Sequence, residues 1–314
     1  MAKFGIPYMG SKGGIAEHII AQLPEAENFY DLFGGGFSIT HCALLSKKWK
    51  NYHFNEINSD LVTLIKDAIS GKYNYEVFKP KFISSEEFKQ NLNDPYVRVC
   101  WSFGNNQKDY LFNKEIEPYK KSMHNAVIFG EFDETAKKVF GFDKWNGETI
   151  KERRFILRSV VKKDIGGEPR QLQRLERLQQ LERLQRLQQL EQLQQLERLQ
   201  QLEQLERLER LQQLELTSMD YRKVQVKPNS IIYCDPPYQG TASYLGEFNH
   251  ADFYKWVVDN PNPVYFSEYN CDKIEGIYLI NAKSKMSRLS ASETARKNKT
   301  EKLFTNEAGL VLHK

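Results

Sequence analysis

A tetrapeptide that combines an acid, two prolines and an aromatic residue directly follows an apolar run. The run is SIIYC at 230–234, and the tetrapeptide is Asp235-Pro236-Pro237-Tyr238. Because proline fixes φ and lacks a backbone N–H, the segment presents rigid carbonyl groups. The Asp235 carboxylate and the Pro236 carbonyl can accept both protons of an exocyclic amine, while Tyr238 stacks on a planar ring. The tetrapeptide therefore favours a site for an amino-bearing nucleobase over the alternative, a stiffened loop around a buried tyrosine.

A glycine-rich turn near the N-terminus is the second candidate site. In FYDLFGGGFS, Asp31 and Phe33 precede Gly34 and Gly36, and Glu56 follows about 20 residues later. Glycines let the backbone approach a ligand closely, and an acid at this spacing binds a ribose hydroxyl pair in nucleotide-binding α/β folds. The glycines alone are weak evidence, and they do not follow the G-x-G-x-x-G spacing of dinucleotide sites. A ligand with one nucleoside, such as S-adenosylmethionine, fits the pattern better.

The segments around these residues alternate between strands and helices. Such alternation predicts a mainly parallel sheet covered on both faces, with ligands bound beyond the carboxyl ends of the strands. Residues 72–165 are rich in aromatic, Asn and Lys residues with weaker periodicity, which indicates an inserted subdomain. The predicted strands are 29–33, 51–57, 230–234 and 263–267, and the predicted helices are 37–48 and 58–70.

In kind and order, these motifs resemble those of the Dam-type (alpha-group) DNA adenine-N6 methyltransferases of phages and bacteria. Tyr8-Met-Gly-Ser-Lys12 resembles the family's opening motif, and FYDLFGGGFS its glycine motif, although Asp31-Leu32 replaces the usual acid-proline pair. Asn55-Glu56-Ile57-Asn58 resembles the second-strand acid, Met219-Asp220-Tyr221 the acid-aromatic pair, and Asp235–Tyr238 the catalytic tetrapeptide. Segments around His250, Glu268 and Arg288 resemble later family segments that form sheet and pocket edges.

The resemblance implies a Rossmann-like methyltransferase domain formed by residues 1–71 and 217–314. It implies direct attack of a flipped-out adenine amine on the methyl group of S-adenosylmethionine, without a covalent intermediate. The implied catalytic residues are Asp235, Pro236, Pro237 and Tyr238. The implied cofactor-binding residues are Tyr8, Lys12, Asp31, Phe33, Gly34, Gly36, Glu56, Asp220 and Asp235.

The inserted region 72–165 is the expected subdomain for recognition of double-stranded DNA, and it is predicted to be mainly helical. In WSFGNNQK at 101–108, Asn105, Asn106 and Lys108 can contact base edges, although a buried Trp/Phe cluster is an equal alternative. Residues 151–163 hold six basic residues and one acidic residue. That run is either one solvated helix face or a phosphate-binding surface. The candidate phosphate contacts are Arg153, Arg154, Arg158, Lys162 and Lys163.

A leucine at every third position from Leu172 to Leu214 forms the most regular feature of the sequence. The intervening Gln, Glu and Arg favour a helix, but a three-residue period does not suit a heptad coiled coil. Whether the repeat is α-helical, 3₁₀ or a solenoid stays open. We expect residues 166–216 to be a helical spacer or packing element, through which the chain could self-associate.

Several classes of protein are disfavoured. The four cysteines are widely spaced, and neither they nor the histidines have the spacing of a metal site, so we expect no metal and no disulfide scaffold. The sequence has no apolar run long enough to span a membrane, which favours a cytoplasmic protein. The alternative activities are methylation of cytosine N4 or of adenine in RNA. A non-catalytic DNA-binding or assembly protein organised by the repeat is the alternative from a different class.

Overall fold

A computed structural model describes residues 4–8, 10–74, 76–164, 201–202, 204–205, 208, 211–239, 248–281 and 301–313. The chain divides into two compact units. One, the sheet unit, comprises residues 2–6, 10–66 and 207–314. The other, the helical unit, comprises residues 1, 7–9 and 67–206.

Helices and strands alternate along the sheet unit, whereas helices build the described part of the helical unit. The helices are α1 (Ala16–Gln22), α2 (Ser38–Ser46), α3 (Ser59–Ile69), α4 (Ser85–Gln90), α5 (Pro95–Cys100), α6 (Glu117–Phe129), α7 (Glu134–Phe140), α8 (Ile150–Asp164), α9 (His250–Asp259) and α10 (Glu307–Val311). The strands are β1 (Asn28–Asp31), β2 (Asn51–Asn55), β3 (Leu214–Thr217), β4 (Ser230–Cys234), β5 (Val264–Glu268), β6 (Ile277–Asn281) and β7 (Lys302–Asn306). Every helix within the described ranges is too short or too polar to cross a bilayer.

The seven strands found in the described residues form one sheet in the order β3-β2-β1-β4-β5-β7-β6. The first five in that order run parallel, and β7 pairs antiparallel with both β5 and β6. Strand order reverses between β1 and β4, because the chain leaves β1 for β2 on one side and leaves β4 for β5 on the other. Open α/β sheets bind ligands at such a switch point. The predicted Rossmann-like α/β fold is confirmed.

The central parallel strands are buried on both faces of the sheet. All residues of β1, β4 and β5 are buried, as expected for strands packed on both sides. The core on one face joins side chains of these strands to α9 and to β7. It includes Tyr30, Ile232, Phe253, Val257, Phe266 and Phe304.

The end of the predicted helical spacer at 166–216 needs correction, because a strand follows directly after a 3₁₀ helix at Leu211–Gln213. Leu214 to Thr217 form β3, which pairs in parallel with β2 along the edge of the sheet. The backbone ladder and the hydrogen bond from Thr217 Oγ1 to Asn55 Oδ1 (3.0 Å) outweigh the helical propensity of Leu and Glu here. Residues 201–202 and 204–205 are helical, and Leu202 and Leu205 are buried. Most of the predicted repeat helix lies outside the described residues.

The helical unit is stabilised by capped helix ends and an aromatic core. Asp94 and Asp133 cap the N-termini of α5 and α7, and Gly130 ends α6 with a φ of 78°. Trp101 is completely buried, with its ring 5.2 Å from that of Phe82. Trp101 is therefore a core residue, as in the alternative interpretation of this segment.

Candidate active site

Acidic side chains follow three neighbouring strands of the sheet. Asp31 ends β1, Glu56 directly follows β2, and Asp235 directly follows β4. Because parallel strands end at the same edge, these carboxylates lie together beside the point where strand order reverses. Their mutual repulsion contributes to the raised pKa of Asp31.

Asp31 is a buried carboxylate that is hydrogen-bonded to Thr40. Its Oδ2 accepts from Thr40 Oγ1 at 2.8 Å, and the residue is 1% exposed. Its Oδ1 is also buried and has no partner among the described residues. Burial raises the pKa of Asp31 to about 7, with the Asp235 and Glu56 carboxylates adding to the effect. An acid with an unused buried oxygen is suited to a cationic ligand.

Lys12 joins the Asp235 carboxylate to a second acid. Its Nζ lies 3.0 Å from Asp235 Oδ2 and 3.3 Å from Glu301 Oε1. The same Nζ lies 4.6 Å from the centroid of the Tyr238 ring, and the Tyr238 hydroxyl donates to Glu301 Oε1 at 3.2 Å. Burial by itself lowers the pKa of Lys12, but Asp235 and Glu301 outweigh it and raise that pKa. Lys12 is therefore an ammonium group shared by two carboxylates.

One oxygen of Asp235 has no partner in the part of the chain that the structure describes. Its side chain is 18% exposed, and its Oδ1 has no hydrogen bond to any described residue. Burial raises the pKa of Asp235 to about 6, against the opposing effect of Lys12. The side chain can therefore accept a further hydrogen bond while it is ionised.

The loop after Asp235 is fixed by two polar side chains from other elements. His250 Nε2 lies 2.8 Å from the Pro237 carbonyl, so that nitrogen must carry the proton and donate. Glu268 Oε2 accepts from the backbone N–H of Gln239 at 3.2 Å. The Tyr238 ring packs edge-to-face against Tyr269 at 4.5 Å. His250 therefore orients the tetrapeptide.

The glycine turn packs tightly between β1 and β2. A Cβ atom on Gly34 would lie 1.9 Å from the Phe54 ring, so only glycine fits there. Gly35 has a φ of 46°, and its N–H donates to Glu56 Oε2 at 2.8 Å. The other oxygen of Glu56 accepts from the Asn58 N–H at 2.9 Å. In this structure the predicted ribose-binding acid fastens the turn itself, and burial raises its pKa.

Phe33 and Asp220 lie at one side of the turn. The Phe33 ring packs 4.9 Å from that of Tyr221 and 5.6 Å from that of Phe253. Asp220 binds Arg222 through two hydrogen bonds of 2.9 and 2.6 Å, which together with its capping contact lower the pKa of Asp220. Asn55 holds the segment before Asp220, since its side chain bonds the Met219 N–H and carbonyl at 3.1 and 2.9 Å.

The predicted DNA-contacting residues of the helical unit differ in their surroundings. Asn105, Asn106 and Lys108 lie in a loop, with positive φ at Gly104, Asn105 and Gln107. Within that loop, Asn106 Oδ1 accepts from the backbone N–H of Lys108 at 2.9 Å. The neighbouring residue Phe103 is 65% exposed to solvent. The loop is thus ordered internally while its tip is open.

Arg153 and Arg154 were predicted to contact phosphates, but the structure does not place their side chains for such contacts. The Arg153 guanidinium donates to carbonyls that include Val127 O, Ile128 O and Glu148 O, and so closes the end of α6. Arg154 is only 6% exposed. The basic composition of the run did not distinguish cations that bind backbone from cations that face solvent. The side chains of Arg158, Lys162 and Lys163 lie outside the described part.

The structure brings Lys12, Asp31, Asp235 and Tyr238 together in the sheet unit, as the motifs predict. Tyr8 belongs to the helical unit, and its role stays a prediction. Sequence reasoning missed Thr40 and Glu301, which contact Asp31 and Lys12. Thr40 follows the glycine motif on α2, a position that could have been noticed. Glu301 lies in no recognisable motif.

Comparison with known families agrees with this arrangement. Residues 8–127 match the family model described as D12 class N6 adenine-specific DNA methyltransferase. The matched range contains the Lys12 turn, the glycine motif and Glu56, and it ends before Asp235. No curated protein sequence matches the chain significantly. The match covers residues 8–127 of the 314, and together with the mostly parallel seven-stranded sheet it supports an adenine-N6 DNA methyltransferase.

Proposed function

We propose that the chain transfers a methyl group from S-adenosylmethionine to the N6 of an adenine flipped out of double-stranded DNA. We assign this reaction to the site of Lys12, Asp31, Asp235 and Tyr238. One observation carries the assignment. Two carboxylates at the ends of adjacent strands each keep one buried oxygen that has no partner among the described residues. Buried polar atoms are normally satisfied, so this pair is suited to a ligand that brings positive charge and N–H groups.

The cofactor fits the acidic part of the site. When bound, S-adenosylmethionine supplies a methyl group on a cationic sulfur. Asp31, whose Oδ1 has no partner among the described residues, would hold positive charge of the cofactor at the end of β1. Gly34 and Gly36 keep the turn free of side chains where the backbone must approach a ligand. Residues proposed to complete the cofactor site in the sheet unit are Phe33, Glu56 and Asp220.

The target adenine fits the tetrapeptide. Asp235 Oδ1 and the Pro236 carbonyl are our candidates to accept the two N6 protons, and the Tyr238 ring to stack on the base. Acceptance of both protons localises the nitrogen lone pair, which is otherwise delocalised into the ring. The methyl donor is already activated, so alignment and charge stabilisation account for the catalysis. The residues need no covalent intermediate.

The DNA contacts are proposed for the helical unit. Asn105, Asn106 and Lys108 are candidates for contacts to base edges, because their loop is ordered and open at its tip. Arg158, Lys162 and Lys163 are candidates for phosphate contacts. Arg153 and Arg154 are not included, because the first binds backbone carbonyls and the second is buried.

Replacement of Asp235 tests the proposal. We expect Asp235→Ala to abolish methyl transfer to DNA, while calorimetry still detects weakened binding of S-adenosylmethionine. Asp259→Ala, an exposed acid at the end of α9, is the matched control and should have wild-type activity. Turnover by Asp235→Ala at the wild-type rate would refute the site assignment.

Analysis of the methylated base separates the related activities. DNA and RNA treated with the wild-type protein should yield N6-methyladenine from DNA. N4-methylcytosine, or modification of RNA alone, would instead support one of the alternative activities.

A further inference from the structure

Glu301, which no motif includes, contacts two residues of the proposed active site. Its Oε1 lies 3.3 Å from Lys12 Nζ and accepts from the Tyr238 hydroxyl at 3.2 Å. The Glu301 side chain is 13% exposed and that of Lys12 is 9% exposed. These contacts are made in a largely dehydrated place, where charge pairing is stronger than at the surface.

The present arrangement places Lys12 in competition with the target base. The Lys12 ammonium lies 3.0 Å from Asp235 Oδ2, and Asp235 is the proposed acceptor for the adenine amine. An ammonium that binds Asp235 tightly withdraws electron density from that carboxylate and makes it a weaker acceptor. An ammonium released without another partner would be a buried unpaired charge, which is strongly unfavourable.

We infer that Glu301 is a positioning residue that holds Lys12 and the Tyr238 hydroxyl, so that Asp235 is released from Lys12 to bind the target amine. This inference rests on the proposed role of Asp235. The two Lys12 contacts differ by only 0.3 Å in length, 3.0 against 3.3 Å, so a small movement of the ammonium transfers it to Glu301. The bond to the Tyr238 hydroxyl fixes the ring that stacks on the base.

Charge is the property through which Glu301 acts. Its carboxylate raises the pKa of Asp235, whereas Lys12 lowers it. Without that negative charge, Lys12 pairs with Asp235 alone, and the pKa of Asp235 falls. Methyl transfer requires ionised Asp235, so the acid limb of the pH–rate profile would move to lower pH.

Other titratable or charged groups face the same cluster. They are His18 on α1, Asp31 on β1, Tyr233 on β4, Glu268 and Tyr269 at the end of β5, and Lys302 next to Glu301. Their contributions are common to variants that differ only at Glu301. The comparison of such variants therefore isolates the effect of this carboxylate.

The test compares Glu301→Gln with Glu301→Asp in the full-length protein on a DNA substrate. For Glu301→Gln we expect kcat/KM for DNA to fall about tenfold, as when a hydrogen bond to a charged group is removed. Its acid limb should move to lower pH. Glu301→Asp keeps the charge, so its acid limb should stay near that of the wild type. Glu307→Gln, an exposed glutamate just beyond the other end of β7, is the matched control.

A fall in activity with an unmoved acid limb would overturn the inference, because a structural defect alone gives that result. Unchanged activity of Glu301→Gln would also overturn it. If Glu301→Gln does not fold, as judged by thermal unfolding, Lys12→Gln is compared with Lys12→Gln/Glu301→Gln, where the second change should again move the acid limb to lower pH. Asp235→Ala is assayed in parallel: wild-type turnover there means that the proposed function, rather than the role of Glu301, has failed.

Discussion

Asp31 and Asp235 are acids whose surroundings oppose ionisation in the ligand-free protein. Burial raises the pKa of Asp31 to about 7 and that of Asp235 to about 6. Between the ordinary carboxyl pKa of 3.8 and these values, the folded protein binds more protons than the unfolded chain. Its free energy of unfolding therefore decreases as the pH rises through this window. A bound cation would offset that cost, which couples cofactor affinity to the ionisation of Asp31.

Asp31→Asn should make the ligand-free protein more stable and inactive. Asn can still accept the hydrogen bond from Thr40 but carries no buried charge. We expect a gain of about 1–3 kcal/mol in the free energy of unfolding at pH 8, and a smaller gain at pH 5. Denaturant unfolding at the two pH values measures this difference, and calorimetry measures the loss of S-adenosylmethionine binding. Equal stability changes at both pH values would contradict the role of the Asp31 charge.

Residues that form local motifs could be predicted, and residues that act across the chain could not. Asp235 and Tyr238 are close neighbours along the chain, so their types and spacing alone predict that they share a site. The contacts of Thr40 and Glu301 could not be predicted, because their partners, Asp31 and Lys12, come close to them only in the folded chain. Arg153 shows the opposite case. Its basic side chain predicts a phosphate contact, but in the structure it donates to backbone carbonyls of α6.

The positions of the strands that hold the site can largely be predicted from the pattern of apolar residues. Strands β1, β2, β4 and β5 occur close to where the apolar runs predict them, because central parallel strands are apolar on both faces. Strand β3 was missed because Leu214–Leu216 continue a repeat of helix-forming residues. Strands β6 and β7 were not predicted. The antiparallel pairing of β7 with β5 depends on how distant strands assemble into the sheet, so no local sequence pattern indicates it.

The glycine turn is the element most sensitive to a single added carbon atom. Gly34→Ala would place Cβ 1.9 Å from the Phe54 ring, so the turn or β2 must move. We expect a loss of about 1–3 kcal/mol in the free energy of unfolding and a marked loss of S-adenosylmethionine affinity. Gly14→Ala is the matched control, since no atom lies within 4 Å of the added carbon. Binding by Gly34→Ala at the wild-type affinity would show that the turn does not approach the cofactor.

At the scale of the whole molecule, the net charge of +4 hides an uneven distribution of cations. Part of the basic run at 151–163 is used to close the end of α6, through Arg153. Three other members of the run, Arg158, Lys162 and Lys163, carry the proposed contact with the DNA backbone. In our proposal, the same short segment combines a stabilising task with a DNA-binding task.

Salt dependence of DNA binding separates these two tasks. Replacement of Arg158, Lys162 and Lys163 by Gln should weaken binding to all DNA sequences alike. It should also reduce the slope of log K against log salt by about 0.9 for each phosphate that is no longer neutralised, or up to about 3 in all. Arg153→Gln should instead lower the unfolding temperature and leave the slope unchanged, because its donors bind carbonyls.

The charge-matched control replaces Lys47, Lys50 and Lys255, which are exposed in the sheet unit. An unchanged slope for the first variant would exclude phosphate contacts there, and a changed site preference would assign those side chains to base recognition.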